Sequence, residues 1–312
     1  MQLLSPQDVA DALRYPDLIN ALRNMFVAGC TQPLRHHHNL DEKDAQKGTL
    51  LLMPAWQQGG YLGLKTVTVM PENGARGLPS VQGNYLLFDA TDGRALALMD
   101  AGELTTRRTA SASALAASYL ARKDAASMLM VGAGAMAPCL IRAHLAVRPL
   151  EEIKIWNHKR KKAQALADTL ASAGLKVTVA PDLEAAARTA DIISCATLST
   201  KPLIRGAWLK PGAHLDLVGA FTPKMRESDD TAVKIASLFV DTFEGGLNEA
   251  GDIVLPLKAG TIQEKDIRAD LYDLCTGRHA GRQNDDEITL FKSTGAALED
   301  LAAAILAFEA NR

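Results

Sequence analysis

The chain has 312 residues, of which 47% are hydrophobic and 22% are charged, and its formal net charge is −2. This length exceeds what one hydrophobic core usually supports, so we expect two domains. A near-neutral charge without a basic block argues against nucleic acid as a partner. The sequence has neither a long apolar run for a membrane span nor a signal-peptide pattern, so we expect a cytoplasmic protein without a membrane partner.

The cysteines and a run of histidines raise the question of a metal site. The four cysteines are Cys30, Cys139, Cys195 and Cys275. Their wide spacing disfavours zinc and redox motifs, and we expect four buried, reduced thiols. His36, His37 and His38 are adjacent, and neighbouring residues of a strand point to opposite faces, so the three cannot all bind one ion. No metal site is predicted.

The N-terminal half has the pattern of an antiparallel α+β unit. Ser5 is the predicted N-cap of a first helix with Pro6 at its first position, and a second helix begins near Pro16. Strands are predicted at residues 48–56, 61–70, 84–89 and 94–100. Asp92-Gly93 predicts a hairpin turn between the last two.

Lys65 is an unusual residue in this half. Alternation along its strand places it on the same face as the apolar Val67 and Val69. Such a lysine either lies at a strand end and extends to water, or it is a cation in a pocket. The residues alone leave both interpretations open.

Arg107 and Arg108 precede an Ala/Ser-rich helical run over residues 110–117. If the helix begins beside them, they oppose its dipole at a cost of about 0.3–1 kcal/mol each. A bound carboxylate or phosphate would remove that conflict. The alternative is a pair of solvated arginines.

Residues 128–137 combine a short apolar strand with a Gly-x-Gly-x-x-Ala turn, and they precede a helix predicted over residues 140–147. This order is typical of a dinucleotide-binding βαβ unit, in which the pyrophosphate lies at the helix N-terminus. The predicted cofactor contacts are Gly132, Gly134, Ala135 and Met136, with Ala137 as the small residue that lets the helix approach the sheet.

The end of the second predicted strand (residues 152–156) indicates which dinucleotide is bound. Asn157, His158, Lys159 and Arg160 stand where an NAD-binding site usually carries an acidic residue. Cationic and amide groups bind a 2′-phosphate that a carboxylate would repel. The residues therefore favour NADPH over NADH, and the alternative interpretation is a solvated cationic helix start.

The rest of this half alternates strands and helices, with strands predicted at 175–180, 191–197, 213–220 and 238–241 and a helix at 182–189. The predicted fold class is therefore α/β: a Rossmann-type parallel sheet domain plus the α+β domain. Ligands bind at the carboxyl ends of such strands. That rule adds Thr197, Leu198, Ser199 and Phe221 to the predicted cofactor contacts.

Segments along almost the whole chain resemble the ornithine cyclodeaminase/mu-crystallin family. They are residues 52–55, 104–110, 131–137, 208–214 and 291–295. The resemblance implies a dinucleotide-binding domain at 116–290 and a substrate-binding and dimerisation domain at 1–115 and 291–312. It also implies a homodimer.

The resemblance further implies site residues. Arg35, Lys65 and Arg108 match basic residues that bind the carboxylate of an amino or imino acid in the family. Thr109 matches a position near the cofactor phosphates, and Ser293, in the motif at 291–295, is included among the cofactor contacts.

Phe221 is a departure from part of the family. The cyclodeaminase and alanine dehydrogenase branches carry a catalytic Asp where this chain has Phe221, and Phe cannot transfer a proton. We therefore predict NAD(P)H-dependent reduction of a small cyclic ketimine, Δ1-pyrroline-2-carboxylate or Δ1-piperideine-2-carboxylate, to L-proline or L-pipecolate. Lys65 and Arg108 are the predicted catalytic residues. The alternatives are ornithine cyclodeamination with NAD+, alanine dehydrogenase-like amination of a keto acid, and a non-catalytic NADPH-binding protein.

Overall fold

The computed structural model describes residues 1–41 and 47–312 as strands, helices and connecting loops. The strands are β1 (Gln2–Leu4), β2 (His36–Asn39), β3 (Thr49–Trp56), β4 (Tyr61–Val69), β5 (Val81–Asp89), β6 (Ala95–Asp100), β7 (Ser127–Val131), β8 (Glu152–Trp156), β9 (Val177–Val179), β10 (Ile192–Cys195), β11 (His214–Leu217), β12 (Ser237–Val240), β13 (Ile267–Ala269) and β14 (Thr289–Lys292). The helices are α1 (Pro6–Ala12), α2 (Tyr15–Ala28), α3 (Ala101–Leu120), α4 (Met136–Leu145), α5 (Arg160–Ser172), α6 (Leu183–Thr189), α7 (Asp230–Ile235), α8 (Phe243–Asn248), α9 (Gly251–Lys258), α10 (Leu271–Thr276) and α11 (Ala297–Ala310). Short 3-10 helices cover Pro71–Arg76, Gly206–Trp208 and Glu264–Asp266.

The chain divides into two compact units. Unit 1 comprises Met1–Arg108 and Ala296–Arg312, and unit 2 comprises Thr109–Gly295. The sequence analysis divided the chain after residues 115 and 290. Unit 1 is therefore discontinuous, because its last helix follows the whole of unit 2 in the sequence.

Unit 1 is built on a six-stranded sheet in the order β1-β6-β5-β4-β3-β2. Neighbouring strands within this sheet are antiparallel, except for the parallel pair β1 and β6. Helix α11 packs against α2 and against strands β3 and β4. Most of α11 is apolar and buried, as expected of a helix surrounded by other elements.

The helix cap and the hairpin turn predicted for unit 1 are present in the structure. Ser5 caps α1 through a capping box with Asp8, and Pro6 occupies the first turn. The Asp92-Gly93 turn joins β5 and β6, with Gly93 at φ 78°. Strands β1 and β2 were not predicted, because one is only three residues long and the other, His36–Asn39, has no apolar alternation.

Helix α3 begins earlier than the sequence analysis assumed. It starts at Ala101, and the Asp100 carboxylate accepts a hydrogen bond from the Glu103 N–H at 2.7 Å. Arg107 and Arg108 therefore lie beyond the first turn, where the helix dipole has little effect. The predicted dipole conflict was wrong. Arg107 instead pairs with Glu103, with Nε 2.5 Å from Oε1.

Unit 2 contains an eight-stranded sheet in the order β13-β12-β14-β11-β10-β7-β8-β9. All of its described pairs are parallel. The fully buried Leu129, Ile193, Leu215 and Leu290 belong to its core. The predicted α/β fold class with a parallel sheet is confirmed. Strand β14 was not predicted, although it lies centrally between β11 and β12.

The cysteines differ in part from the prediction. None of the four forms a disulfide, but only Cys195 is buried, while Cys30, Cys139 and Cys275 are half-buried. Cys195 is the one that lies within a central strand of a sheet, which explains its complete burial. The prediction of four buried thiols was therefore wrong for three of them.

Within residues 1–41 and 47–312, no helix combines the length and the apolar character that a membrane span requires. In the same ranges, no group of three or more His, Cys, Asp or Glu is arranged to hold a metal ion. The side chains of His36, His37 and His38 are exposed on β2.

Candidate functional site

Lys65 lies in the interior of unit 1. Its side chain leaves β4 toward α11, and only 3% of the residue is exposed. The Nζ atom is 2.5 Å from Oδ2 of Asp300. Burial lowers the pKa of Lys65 to about 8, Asp300 opposes this shift, and the charges of Arg108 and Arg35 lower the pKa further. Lys65 is therefore a buried cation and not a lysine that extends to water.

Arg108 joins Lys65 through a shared partner. The Arg108 Nε atom is 2.8 Å from Oδ1 of Asp300, and its Nη1 atom contacts the Glu299 carboxylate. Both carboxylates are buried. Adjacent residues of α11 thus bring the two predicted catalytic cations together.

Arg35 is the third member of this group, which we call the cation cluster (Arg35, Lys65 and Arg108). Arg35 is half-buried, and its charge lowers the pKa of Lys65. Lys65 and Arg108 are held by the carboxylates of Asp300 and Glu299, and the charge of Arg35 acts on Lys65 as well. Guanidinium and ammonium groups are the side chains that bind carboxylates through charged hydrogen bonds. The cluster is therefore suited to an anionic ligand group such as a carboxylate.

Glu299 and Asp300 were missed by the sequence analysis. The signal that could have revealed them is a pair of acidic residues inside the otherwise apolar α11, where a buried carboxylate requires a cationic partner. The sequence predicts only an apolar helix here, because the cationic partners Lys65 and Arg108 lie far away along the chain.

The glycine turn of unit 2 connects β7 to α4, as predicted. Gly132 has φ 111°, and a Cβ there would lie 2.6 Å from the Ala196 carbonyl oxygen, so only glycine fits. Gly134 is exposed, and a Cβ on it would meet no atom of the described residues within 4 Å. Ala137 is fully buried under the helix. The turn therefore leaves its backbone accessible to a pyrophosphate, and the residues present fit a dinucleotide.

The residues predicted to read the 2′-phosphate follow β8 directly. His158, Lys159 and Arg160 are exposed, and the Asn157 amide donates to the Lys159 carbonyl oxygen at 3.0 Å. The Trp156 carbonyl oxygen accepts from the Gly132 N–H at 2.9 Å, which places the end of β8 beside the glycine turn. This arrangement provides cationic side chains next to the predicted pyrophosphate site.

The predicted contacts at the ends of β10 and β11 also lie in one region. A Cβ on Gly132 would approach Thr197, and a Cβ on Gly219 would lie 2.2 Å from the Thr197 nitrogen, so the three segments are in close contact. Leu198 is 76% exposed and Phe221 is 54% exposed. Both side chains are therefore accessible to a ligand at this end of the sheet.

Glu227 was missed, although it lies among these loops. Its side chain is fully buried and accepts hydrogen bonds from the Thr197 N–H at 2.6 Å, the Thr197 hydroxyl at 2.7 Å and the Gly219 N–H at 2.8 Å. A glutamate eight residues after a glycine carries no recognisable spacing signal. Only the three-dimensional approach of the two loops reveals its role.

The last two predicted cofactor contacts have different surroundings. Ser293 is buried, and its hydroxyl donates to Asp241 at 3.3 Å. Asp241 also accepts from the N–H groups of Thr294 and Gly295, each at 2.5 Å, so it fixes the loop after β14. Thr109 lies half-buried in α3, directly after Arg108.

Comparison with known proteins agrees with this arrangement. The family model described as "Ornithine cyclodeaminase/mu-crystallin family" matches residues 3–312. The chain is 41% identical to the Δ1-pyrroline-2-carboxylate reductase of Paracoccus denitrificans, over 97% of this chain and 95% of that protein. It is 34% identical to the ketimine reductase mu-crystallin of Mus musculus, over 98% of this chain and 96% of that protein.

A solved structure is similar over the same length. The Δ1-pyrroline-2-carboxylate reductase of Thermococcus litoralis, in complex with NADH and L-proline, has a TM-score of 0.93 and 36% identity, and the match covers 99% of this chain and 97% of that one. The resemblance predicted from the motifs is confirmed. The chain belongs to the ornithine cyclodeaminase/mu-crystallin family.

Proposed function

We propose that this protein is an NAD(P)H-dependent ketimine reductase. It reduces a small cyclic imino acid, Δ1-pyrroline-2-carboxylate or Δ1-piperideine-2-carboxylate, to L-proline or L-pipecolate. The similarity over almost the whole chain to reductases of this class supports the reaction. The observation that carries the proposal within the molecule is the cation cluster, in which Lys65 and Arg108 are buried side by side and held by Asp300 and Glu299.

The cation cluster binds the carboxylate of the imino acid. Arg108 offers a planar guanidinium that suits a carboxylate, and Lys65 adds a second charge. Glu299 and Asp300 hold these cations in place before the substrate arrives, so little side-chain entropy is lost on binding. Fixing the carboxylate also fixes the position of the adjacent imine carbon, which is the main source of rate in such a reaction.

The imine nitrogen needs a proton when the imine carbon is reduced. The bound cofactor supplies the hydride. Lys65 donates a proton from its ammonium group to the nitrogen, becomes a neutral amine and is reprotonated from solvent. Because burial lowers its pKa to about 8, Lys65 is still protonated at neutral pH but gives up a proton more readily than an exposed lysine.

The preferred cofactor is NADPH, with NADH as the alternative. Gly132, Gly134, Ala135 and Met136 bind the pyrophosphate, and Asn157, His158, Lys159 and Arg160 bind the 2′-phosphate. The exposed cations after β8 support this preference, because a 2′-phosphate carries a negative charge that they neutralise. Thr109, Thr197, Leu198, Ser199, Phe221 and Ser293 complete the proposed set of cofactor contacts.

The protein acts as a homodimer in the cytoplasm. The homodimer follows from the family resemblance. The cytoplasmic location is supported by the four cysteines, none of which forms a disulfide, as is usual in a reducing compartment.

The reaction is tested by an NADPH-oxidation assay with the five-membered and the six-membered cyclic imino acids. The expected result is oxidation of NADPH that depends on the imino acid, with L-proline or L-pipecolate as the product. NADH measured in parallel gives the cofactor preference.

Two further incubations separate the alternatives. Release of ammonia from ornithine with catalytic NAD+, without imine reduction, would favour a cyclodeaminase. Binding of NADPH without turnover of either imino acid would favour a non-catalytic binding protein. Either result would overturn the proposed reaction.

A further inference from the structure

We infer that Glu227 is a positioning residue for the dinucleotide: its buried carboxylate ties the loop after β10 to the loop after β11, and this connection sets the affinity for the cofactor. The inference rests on the proposed function only in taking unit 2 as the cofactor-binding domain. Both loops lie at the carboxyl ends of parallel strands, which is where such sheets bind their ligands.

The geometry of the connection is complete for one ionised carboxylate. Oε1 of Glu227 accepts from the N–H and the hydroxyl of Thr197, at 2.6 and 2.7 Å, and Oε2 accepts from the Gly219 N–H at 2.8 Å. The Thr197 hydroxyl in turn accepts from the Ser199 N–H at 3.2 Å, so its own hydrogen is directed to Glu227. One side chain thereby orders three residues of the predicted cofactor region.

Gly219 makes this close approach feasible. A Cβ at this position would lie 2.1 Å from the Thr197 carbonyl oxygen and 2.6 Å from Oε1 of Glu227. Any side chain there would separate the loops and break the hydrogen bonds to the carboxylate. The glycine and the glutamate therefore act together.

Charged groups on neighbouring elements hold Glu227 in turn. Oδ1 of Asp252, on α9, accepts from the N–H groups of Glu227 and Ser228, each at 2.9 Å. Lys292, at the end of β14, donates to the Leu217 carbonyl oxygen at 3.0 Å, and its Nζ lies 3.8 Å from Oδ2 of Asp252. Cys195, on β10, is also close enough to interact, because the charge of Glu227 helps to raise the pKa of the Cys195 thiol. The carboxylate thus has a fixed position within the unit.

The protonation state of Glu227 controls these hydrogen bonds. Its partners on both loops are donors, so a protonated carboxyl group must give up at least one of them. Burial raises the pKa of Glu227 to about 7, Lys292 opposes the shift, and Asp252 adds to it. The connection is therefore intact above about pH 7 and weakened below it, and we expect cofactor affinity to fall as the pH falls through this range.

The test is a binding experiment without imino acid. Dissociation constants for NADPH and NADH are measured by fluorescence titration from pH 6 to pH 8.5 with the wild type, Glu227→Gln and Asp216→Asn. Asp216 is a matched control, because it is also a fully buried carboxylate of unit 2, but it accepts from the Ser194 hydroxyl at 2.6 Å within the sheet. Thermal unfolding confirms that each variant is folded.

We expect Glu227→Gln to bind both dinucleotides about tenfold more weakly at pH 8, the loss expected for a charged hydrogen-bond acceptor. Its Kd for NADH should not change with pH, whereas the wild-type Kd for NADH should rise as the pH drops below about 7. NADH is used for the pH series because it lacks the titrating 2′-phosphate. Asp216→Asn should behave as the wild type.

A wild-type Kd for NADH that stays constant from pH 6 to 8.5 would overturn the inference, and this measurement needs no variant. Equal Kd values for Glu227→Gln and the wild type would overturn it as well. Glu227-dependent dinucleotide binding without imine reduction would support the inference and contradict the proposed function. Imine reduction together with unchanged Kd values in Glu227→Gln would support the proposed function and contradict the inference about Glu227.

Discussion

Buried carboxylates serve different purposes in the two units. In unit 1, Glu299 and Asp300 lie against the cations Lys65 and Arg108. In unit 2, Glu227 accepts hydrogen bonds from backbone N–H groups and a hydroxyl. A carboxylate that neutralises a cation keeps that cation in place for a ligand, whereas one that accepts backbone donors fixes the shape of a loop. Substitutions in unit 1 should therefore change charge recognition, and those in unit 2 should change loop geometry.

Arg108→Lys should have the largest effect among the substitutions in the cation cluster. Lysine keeps the charge but loses the planar pair of donors, and hydrogen bonds to a charged group contribute about 1.5–3 kcal/mol each. We expect KM for the cyclic imino acid to rise about tenfold to a hundredfold, while Kd for NADPH stays unchanged.

Arg107→Lys is the matched control for this substitution. It is the adjacent arginine, and it pairs with Glu103 instead of the cluster. Steady-state kinetics of both variants are compared at one pH. Equal KM values in the wild type and Arg108→Lys would remove Arg108 from the substrate site.

Asp300→Asn should shift the pH dependence of the reaction. Reduction requires protonated Lys65, so kcat/KM of the wild type should decline as the pH rises above about 8. Asp300 favours the protonated lysine, and removing an opposite charge at this distance lowers such a pKa by about one to three units. The alkaline decline of kcat/KM should therefore begin at a correspondingly lower pH.

Glu299→Gln removes the same charge from the neighbouring residue, whose ion pair is with Arg108. We expect it to raise KM with a smaller displacement of the alkaline decline. The pH profiles of kcat/KM for the wild type, Asp300→Asn and Glu299→Gln show which carboxylate sets the pH of the alkaline decline. An unmoved decline in Asp300→Asn would show that Lys65 is not the proton donor.

The smallest effect is expected at the exposed cations of unit 2. The double substitution Lys159→Ala, Arg160→Ala should weaken NADPH binding about threefold to tenfold and leave NADH binding unchanged, because exposed ion pairs contribute only about 0.2–1 kcal/mol each. Lys161→Ala, Lys162→Ala makes the same change in charge one step further along α5 and serves as the control. Equal losses for the two double variants would indicate a general charge effect and no specific contact with the 2′-phosphate.

The sequence was sufficient where a signal is local. The glycine turn, the alternating strands and the Ser5 cap each depend on residues within a few positions, and they appear in the structure as predicted. Lys65 attracted attention through a local conflict, a charge on an apolar face. The dipole conflict at Arg108 pointed to a relevant residue for a wrong reason, because Asp100 starts the helix earlier.

The site residues that the sequence did not predict depend on partners elsewhere in the chain. Glu227 and Asp300 are ordinary acidic residues until the chain folds, and their partners lie in other segments of the sequence. Every residue except proline has a backbone N–H group, so a backbone donor cannot be recognised from its residue type. Gly219 and Thr197 therefore gave no indication of a carboxylate. Pairings of this kind depend on tertiary contacts, which composition and periodicity do not encode.

The position of α11 after unit 2 in the sequence has a consequence for biosynthesis. Lys65 and Arg108 are made early, but Glu299 and Asp300 follow the whole of unit 2, and translation proceeds at about 5–20 residues per second. During that interval the nascent N-terminal sheet contains cations that it cannot yet pair with these carboxylates. Unit 1 therefore reaches its final state only after every segment of unit 2 has been synthesised.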